Sequence, residues 1–193
     1  MVTVVRMVHR NIGAMHQDVD TATNACTGRR DTRRRVGAMP IPDFVVALRD
    51  RVGTMSLWLP GVAAVVIRGS DVLLVRRADN GEWSPVTGIV DPGEEPAKAA
   101  VREVREEACV VARAERLVWV SVGTPIIHAN GDLAQYLEHT FRCTWVSGEP
   151  AVGDDESTDA GWYPLDALPQ MSARNRDRIA HAVENRPEAQ FVR

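Results

Sequence analysis

Glu103, Glu106 and Glu107 occupy positions i, i+3 and i+4 of the segment Ala97–Ala108. At helical periodicity their side chains share one face. That face lies about a third of a turn from the apolar stripe of Ala97, Ala100, Val101, Val104 and Ala108. Three carboxylates so close repel one another unless a cation sits among them, and hard divalent cations take oxygen ligands. The helix alone also reads as a solvated face tied by pairs such as Arg102–Glu106, and taken alone it favours that reading. The Gly/Pro/acid loop ahead of it, Gly88–Glu95, reverses the balance. Carboxylates beside such a loop make a cradle for Mg²⁺, with Mn²⁺ as the second choice.

Read with its loop, the segment Gly88–Val110 resembles the Nudix box, G-x5-E-x7-R-E-U-x-E-E-x-G-U with U aliphatic. Gly88, Glu94, Arg102, Glu103, Val104, Glu106, Glu107 and Val110 fall at the matching positions, and Cys109 stands where the pattern closes on glycine. At average amino-acid usage these matches coincide by chance on the order of 10⁻⁸ per starting residue. The resemblance implies an α/β fold, the Nudix-type α/β/α sandwich around a mixed β-sheet, over roughly residues 42–183. It also implies Mg²⁺-dependent hydrolysis of a nucleoside diphosphate linked to another moiety. The candidate substrates are a nucleoside triphosphate, ADP-ribose, a nucleotide sugar or an NADH-type compound.

By position, the resemblance makes Glu103, Glu106, Glu107 and the backbone carbonyl of Gly88 the metal ligands. Arg102 would orient the glutamates through charge-assisted hydrogen bonds, with Glu94 as its partner. The metal would neutralise phosphate oxygens and activate a water for in-line attack, so no covalent nucleophile is required. Glu156, in the acidic loop Asp154-Asp155-Glu156, is the candidate general base. A glycine ends the family's helix where a left-handed backbone is cheap. Cysteine there either keeps that conformation, at a cost of roughly 1 kcal/mol for its Cβ, or lets the chain leave the helix by a right-handed or extended route.

Weaker candidates surround this core. Arg76 and Arg77 end a strand and could reach a phosphate, or be solvated strand ends. Trp83 and Trp162 could stack on a base, although packing is the commoner use of tryptophan in a small domain. The five histidines show no zinc spacing. The alternative function is a non-catalytic Nudix module that binds nucleotide to regulate a partner, against which the three retained glutamates argue.

The elements that must position these residues can be read from pattern. Asp43–Val52 predicts a short helix closed by Gly53. The apolar runs Val62–Arg68 and Asp71–Arg77, joined by Gly69-Ser70, predict a hairpin with a type II′ turn. Glu82–Thr87 extends the sheet, and Pro96 opens the helix Ala97–Ala108. Val110–Val122 and Leu133–Trp145 predict long strands, with Asn130-Gly131 as a hairpin turn between them. A strand at Ala160–Pro164 and a helix at Ser172–Val183 complete a mixed sheet that is not a Rossmann alternation.

With 193 residues, 45% hydrophobic and 25% charged, the chain has ordinary globular composition. The formal net charge of −3 is uneven: residues 1–38 carry +4 and the remainder −7, as read along the sequence. Residues 1–38, with the run Arg29–Arg35, read as a basic, disordered extension or an over-long start, and 39–193 as a single domain. A body this acidic is not expected to bind nucleic acid. No apolar run reaches the length of a membrane helix. Cys26, Cys109 and Cys143 form no C-x-x-C, so a reducing, cytoplasmic setting is expected. The expected partner is a small-molecule nucleotide, without membrane, and the chain acts alone or as a homodimer.

Overall fold

Val62 to Ile67 is an unbroken apolar run because its strand is buried on both faces. In the computed structural model, which describes residues 41–128 and 130–192, this run lies in the first of nine strands. The expected disorder of the basic segment 1–38 lies outside the described residues. In chain order the elements are α1 (Asp43–Val52), β1 (Leu57–Arg68), β2 (Asp71–Arg77), β3 (Trp83–Ser84), β4 (Val86–Ile89) and α2 (Pro96–Ala108). They continue with β5 (Val111–Val122), β6 (Ile126–Ile127), β7 (Leu133–Ser147), β8 (Ser157–Pro164), α3 (Ala173–Glu184) and β9 (Gln190–Phe191).

The strands form one mixed sheet in the order β3-β2-β1-β7-β5-β9, with β4 on β1, β6 on β7 and β8 on β2. Alternation along β1 separates two layers of core. Val62, Ala64 and Val66 pack with Ala100, Val104 and Ala108 of α2. Val65 and Ile67 pack with Ile179 and Ala182 of α3. The molecule is thus a helix–sheet–helix sandwich. No helix among the described residues is long and apolar enough to cross a membrane.

Several elements depart from the sequence pattern. The β1–β2 hairpin is short: Ile67↔Val72 and Arg68↔Asp71 pair around a turn in which Gly69 takes φ +61°, and then the strands part. Each finds a longer partner, β1 running parallel to β7 from Leu57 to Ile67 and β2 antiparallel to β8. The vacated edge of β1 is taken by β4, which pairs Gly61↔Ile89 through Ala64↔Val86. The expected strand Glu82–Thr87 is broken into β3 and β4 at Pro85, which has no N–H to give to a ladder. β8 also begins three residues early, at Ser157, because its first residues continue the pairing with the end of β2.

Candidate carboxylate site

The site is built on the C-terminal half of α2. Glu103 and Glu107 lie one turn apart, only about 40° around the helix, while Glu106 points further toward solvent. The buried stripe of α2 comprises Ala99, Ala100, Val104, Glu107 and Ala108, so one of the three carboxylates belongs to the buried side. Glu107 is 4% exposed. Glu103 lies against β4, where a Cβ added at Gly88 would stand 2.1 Å from its carboxylate. Glycine at 88 thus leaves the room in which the Glu103 carboxylate lies.

Arg102 binds the helix to the loop before it. Its Nε and Nη2 each donate to Glu94 at 2.9 Å, a bidentate pair, and Nη2 also donates to the Ile89 carbonyl at 3.2 Å. Nη1 donates to Glu103 at 2.9 Å and to Glu106 at 3.1 Å. The guanidinium holds the Glu94 carboxyl below its ordinary range, and Arg102 itself is raised.

A second wall comes from the segment between β7 and β8. The Ala151 and Gly153 amides donate to the Ala108 and Glu107 carbonyls at 3.1 and 2.9 Å, satisfying two acceptors that a helix end leaves open. This brings Glu156 beside α2. The Ala78 amide donates to the Glu156 carbonyl at 2.8 Å, and Ser157 Oγ donates to Glu107 Oε2 at 3.2 Å. Ser157 carries no local signal in the sequence, since it lies fifty residues from its partner.

The electrostatics are those of an anion excess. Burial pushes Glu107 up to about 9, and the charges of Glu156, Asp154 and Glu103 add to it, opposed by Arg77. Burial likewise lifts Glu103 to about 7, against the pull of Arg102. Glu156 rises to about 7 through burial and the neighbouring Asp154. Hard oxygen donors short of counter-charge, beside a glycine that leaves room for a carboxylate, suit a divalent cation. Among the described residues no group of three or more His, Cys, Asp or Glu side chains is placed to hold a metal ion. Arg102 draws Glu103 and Glu106 toward itself, while Glu107 is turned to Ser157.

The remaining sequence candidates divide by face. Arg77 belongs to the site: it is paired with Asp79 at 2.9 and 2.8 Å, reaches Thr87 Oγ1 at 3.3 Å, and its charge is felt at Glu107 and Glu156. Arg76 points the other way, donating to the Gly81 carbonyl at 3.1 Å. It shares with Trp83 an open depression of about 540 Å³ on the α3 side. Trp83 meets Tyr163 there, ring centroids 4.8 Å apart and planes at 59°. Trp162 is not brought to the carboxylates. It lies about 17 Å along β8 from Ser157, covered by the Arg68 guanidinium at 4.1 Å, with Nε1 donating to Glu149 at 3.3 Å.

Cys109 decides between the two helix endings open to it. It does not leave α2 by a right-handed or extended route but takes the left-handed conformation itself, φ 56° and ψ 19°. Its amide donates to the Arg105 carbonyl at 3.2 Å, so the helix ends as it would on glycine.

Comparison with known proteins places this fold. A sequence model of the NUDIX domain matches residues 58–183. The NAD-capped RNA hydrolase NudC of Pseudomonas aeruginosa (strain LESB58) is 39% identical over 128 residues, covering 65% of this chain and 42% of that protein. Its namesake in Stutzerimonas stutzeri (strain A1501) is 33% identical over 117 residues, covering 60% and 40%. This chain thus spans about two fifths of the length of these curated relatives. Among solved structures, a MutT NUDIX hydrolase from Burkholderia pseudomallei is similar with TM-score 0.50 and 29% identity, over 65% of this chain and 98% of its own. A NUDIX hydrolase from Nitrosomonas europaea is similar with TM-score 0.56 and 26% identity, over 66% and 90%.

Proposed function

The chain belongs to the Nudix hydrolase family, and from that premise we propose that it is a Mg²⁺-dependent pyrophosphohydrolase cleaving a nucleoside diphosphate linked to a second moiety. The observation that carries this reading is the under-compensated carboxylate group of Glu103, Glu107 and Glu156, with Glu103 lying in the room that Gly88 leaves. Family membership implies a divalent cation; Mg²⁺ ahead of Mn²⁺ is the reading proposed for the metal. Glu103, Glu106, Glu107 and the Gly88 carbonyl would hold it. When bound, the ion supplies charge neutralisation at the diphosphate oxygens and a lowered pKa for the attacking water.

The protein's own side chains do the rest. Arg102 and Glu94 keep the helix face and the Gly88 strand in register. A carboxylate oxygen of Glu156 accepts the proton of the attacking water, and a group lifted to about 7 suits that task near neutral pH. Arg77, whose guanidinium lies among the acids, offers its positive charge to a phosphate oxygen.

Relatives that carry the name NAD-capped RNA hydrolase support a dinucleotide-type diphosphate as the first substrate class. A panel of NADH, ADP-ribose, a nucleotide sugar and nucleoside triphosphates, incubated with Mg²⁺ and resolved by chromatography, tests this. A monophosphate plus a second phosphorylated product is expected from the linked diphosphates. Pyrophosphate release from triphosphates alone would overturn the substrate class, and no Mg²⁺-dependent hydrolysis of any member would overturn the function.

A further inference from the structure

Gly153 lacks the usual reason for being glycine. It is not among the positive-φ residues, so its backbone suits any L-residue. What excludes a side chain is contact: a Cβ at 153 would stand 1.8 Å from the Glu106 carbonyl oxygen, 2.9 Å from its carbon and 3.3 Å from the Glu107 carbonyl carbon. All three are backbone atoms of the last turn of α2, which cannot rotate aside.

The loop is held on both sides of that contact. Ala151 and Gly153 donate to the Ala108 and Glu107 carbonyls, and three residues on Glu156 is fastened to the end of β2 by the Ala78 amide. Within the span, the Glu156 amide donates to Asp154 Oδ1 at 2.9 Å. Ser157 closes it by donating to Glu107 itself. The segment 151–157 is therefore stretched between the helix that carries the three glutamates and the strand that carries Arg77.

We propose that Gly153 is a positioning residue: by letting the loop backbone lie directly on the α2 carbonyls, it fixes how closely Glu156 approaches Glu103, Glu106 and Glu107. The proposal rests on the functional reading above in giving Glu156 a task, but the placement itself is independent of any activity. A methyl group at 153 must push the loop away from α2 by more than an ångström, because its obstacle is main chain. Glu156 then retreats from the glutamates while all of them remain in place.

The test uses the full chain and reads charge proximity through stability. In the metal-free protein Glu156 repels the neighbouring carboxylates, so Glu156→Gln should raise Tm by about 2 °C. In a Gly153→Ala background the same substitution should raise it by less than half as much, because the charges have already separated. Where Gly153→Ala does not fold, Ala151→Pro serves instead, since it removes the amide that anchors the loop to Ala108 and sets its ring against that carbonyl, displacing the loop from the other anchor. An equal rise in both backgrounds, or none in the parent, overturns the proposal.

Kinetics give the second arm. Gly153→Ala should lower kcat about tenfold or more, with KM and the affinity for Mg²⁺ alone within twofold of the parent. Adding Glu156→Gln to it should cost little more. Val152→Ala, exposed between the two anchors, should match the parent. Full multiplicative loss in the double variant would overturn the proposal. A parent without Mg²⁺-dependent hydrolysis would strike the proposed function and leave the stability comparison to decide on Gly153.

Discussion

The two faces of the sheet each hold a group of charges, and they are balanced in opposite ways. On the α3 face Glu138 accepts from Arg174 Nε at 3.2 Å and from Arg178, which is itself 8% exposed and donates onward to Asn175. Two guanidiniums serve one carboxylate. On the α2 face Glu103, Glu106, Glu107 and Glu156 share Arg102 and Arg77, and Arg102 is largely committed to Glu94. The α3 group supplies its own counter-charge and welds a helix to a strand. The α2 group lacks it, and burial with like charge raises its acids instead of lowering them. Buried charge that a protein neutralises by itself is architecture; buried charge left short of partners is a place for something to bind.

Opposite responses to one kind of substitution would sharpen that contrast. Glu138→Gln leaves two guanidiniums facing a neutral amide, one of them deeply buried, and should destabilise the fold by about 3 kcal/mol or more. The loss would be read in the denaturant midpoint and should be the same with or without Mg²⁺. Glu107→Gln instead removes a charge that burial already disfavours. Metal-free stability should stay level or rise slightly, while Mg²⁺ binding weakens and turnover falls about a hundredfold or more. Glu95→Gln is the matched control, since Glu95 is exposed and outside the box pattern, and should change turnover little. A Glu107→Gln protein with near-normal Mg²⁺-dependent hydrolysis would sink the carboxylate cradle.

The asymmetry was only half legible in the sequence. The α2 side announces itself because its key groups sit within one loop and one helix, where spacing alone sets geometry. The mixed sheet and most of its longer elements follow from apolar periodicity in the same way, while the sandwich is what the resemblance implies. The α3 group is assembled from β7 and α3, forty residues apart at the Glu138–Arg178 contact, and nothing local marks either residue. Ser157 and Gly153 escape for the same reason: their meaning lies in what folds against them. The hairpin β1–β2 forms where expected but stays short for a further reason, since a turn fixes the ends of two strands while longer partners claim their bodies.

Acidity offers a smaller effect that again separates the faces. Glu107 at about 9, with Glu103 and Glu156 at about 7, all lie above the ordinary carboxylate value in the folded protein. The native state therefore holds more protons than the unfolded chain between about pH 4.5 and 9. Metal-free stability should fall as pH rises through that window. Bound Mg²⁺ requires the deprotonated ligands, so the Tm increment it confers should grow with pH. Thermal scans in chelator and in Mg²⁺ at pH 6 and 8.5 measure both trends. A metal-free Tm that climbs between those two values would contradict the anion excess on the α2 face.

The smallest effect concerns the end of the helix that carries the cradle. Cys109 holds a left-handed conformation in which a Cβ costs roughly 1 kcal/mol relative to glycine. Its side chain is half-buried, and its place in the chain follows the last ligand, Glu107. Cys109→Gly, compared with the parent under reducing conditions, should raise Tm by about 2–4 °C. Turnover should stay equal or increase, because the Glu107 and Ala108 carbonyls keep their bonds from Gly153 and Ala151 whichever residue closes the helix. Glu138→Gln in the same background should lose as much stability as in the parent, since the two sites share no partner. If Cys109→Gly instead costs stability, the side chain is filling space between α2 and the loop, and the helix end is set by packing rather than by backbone conformation.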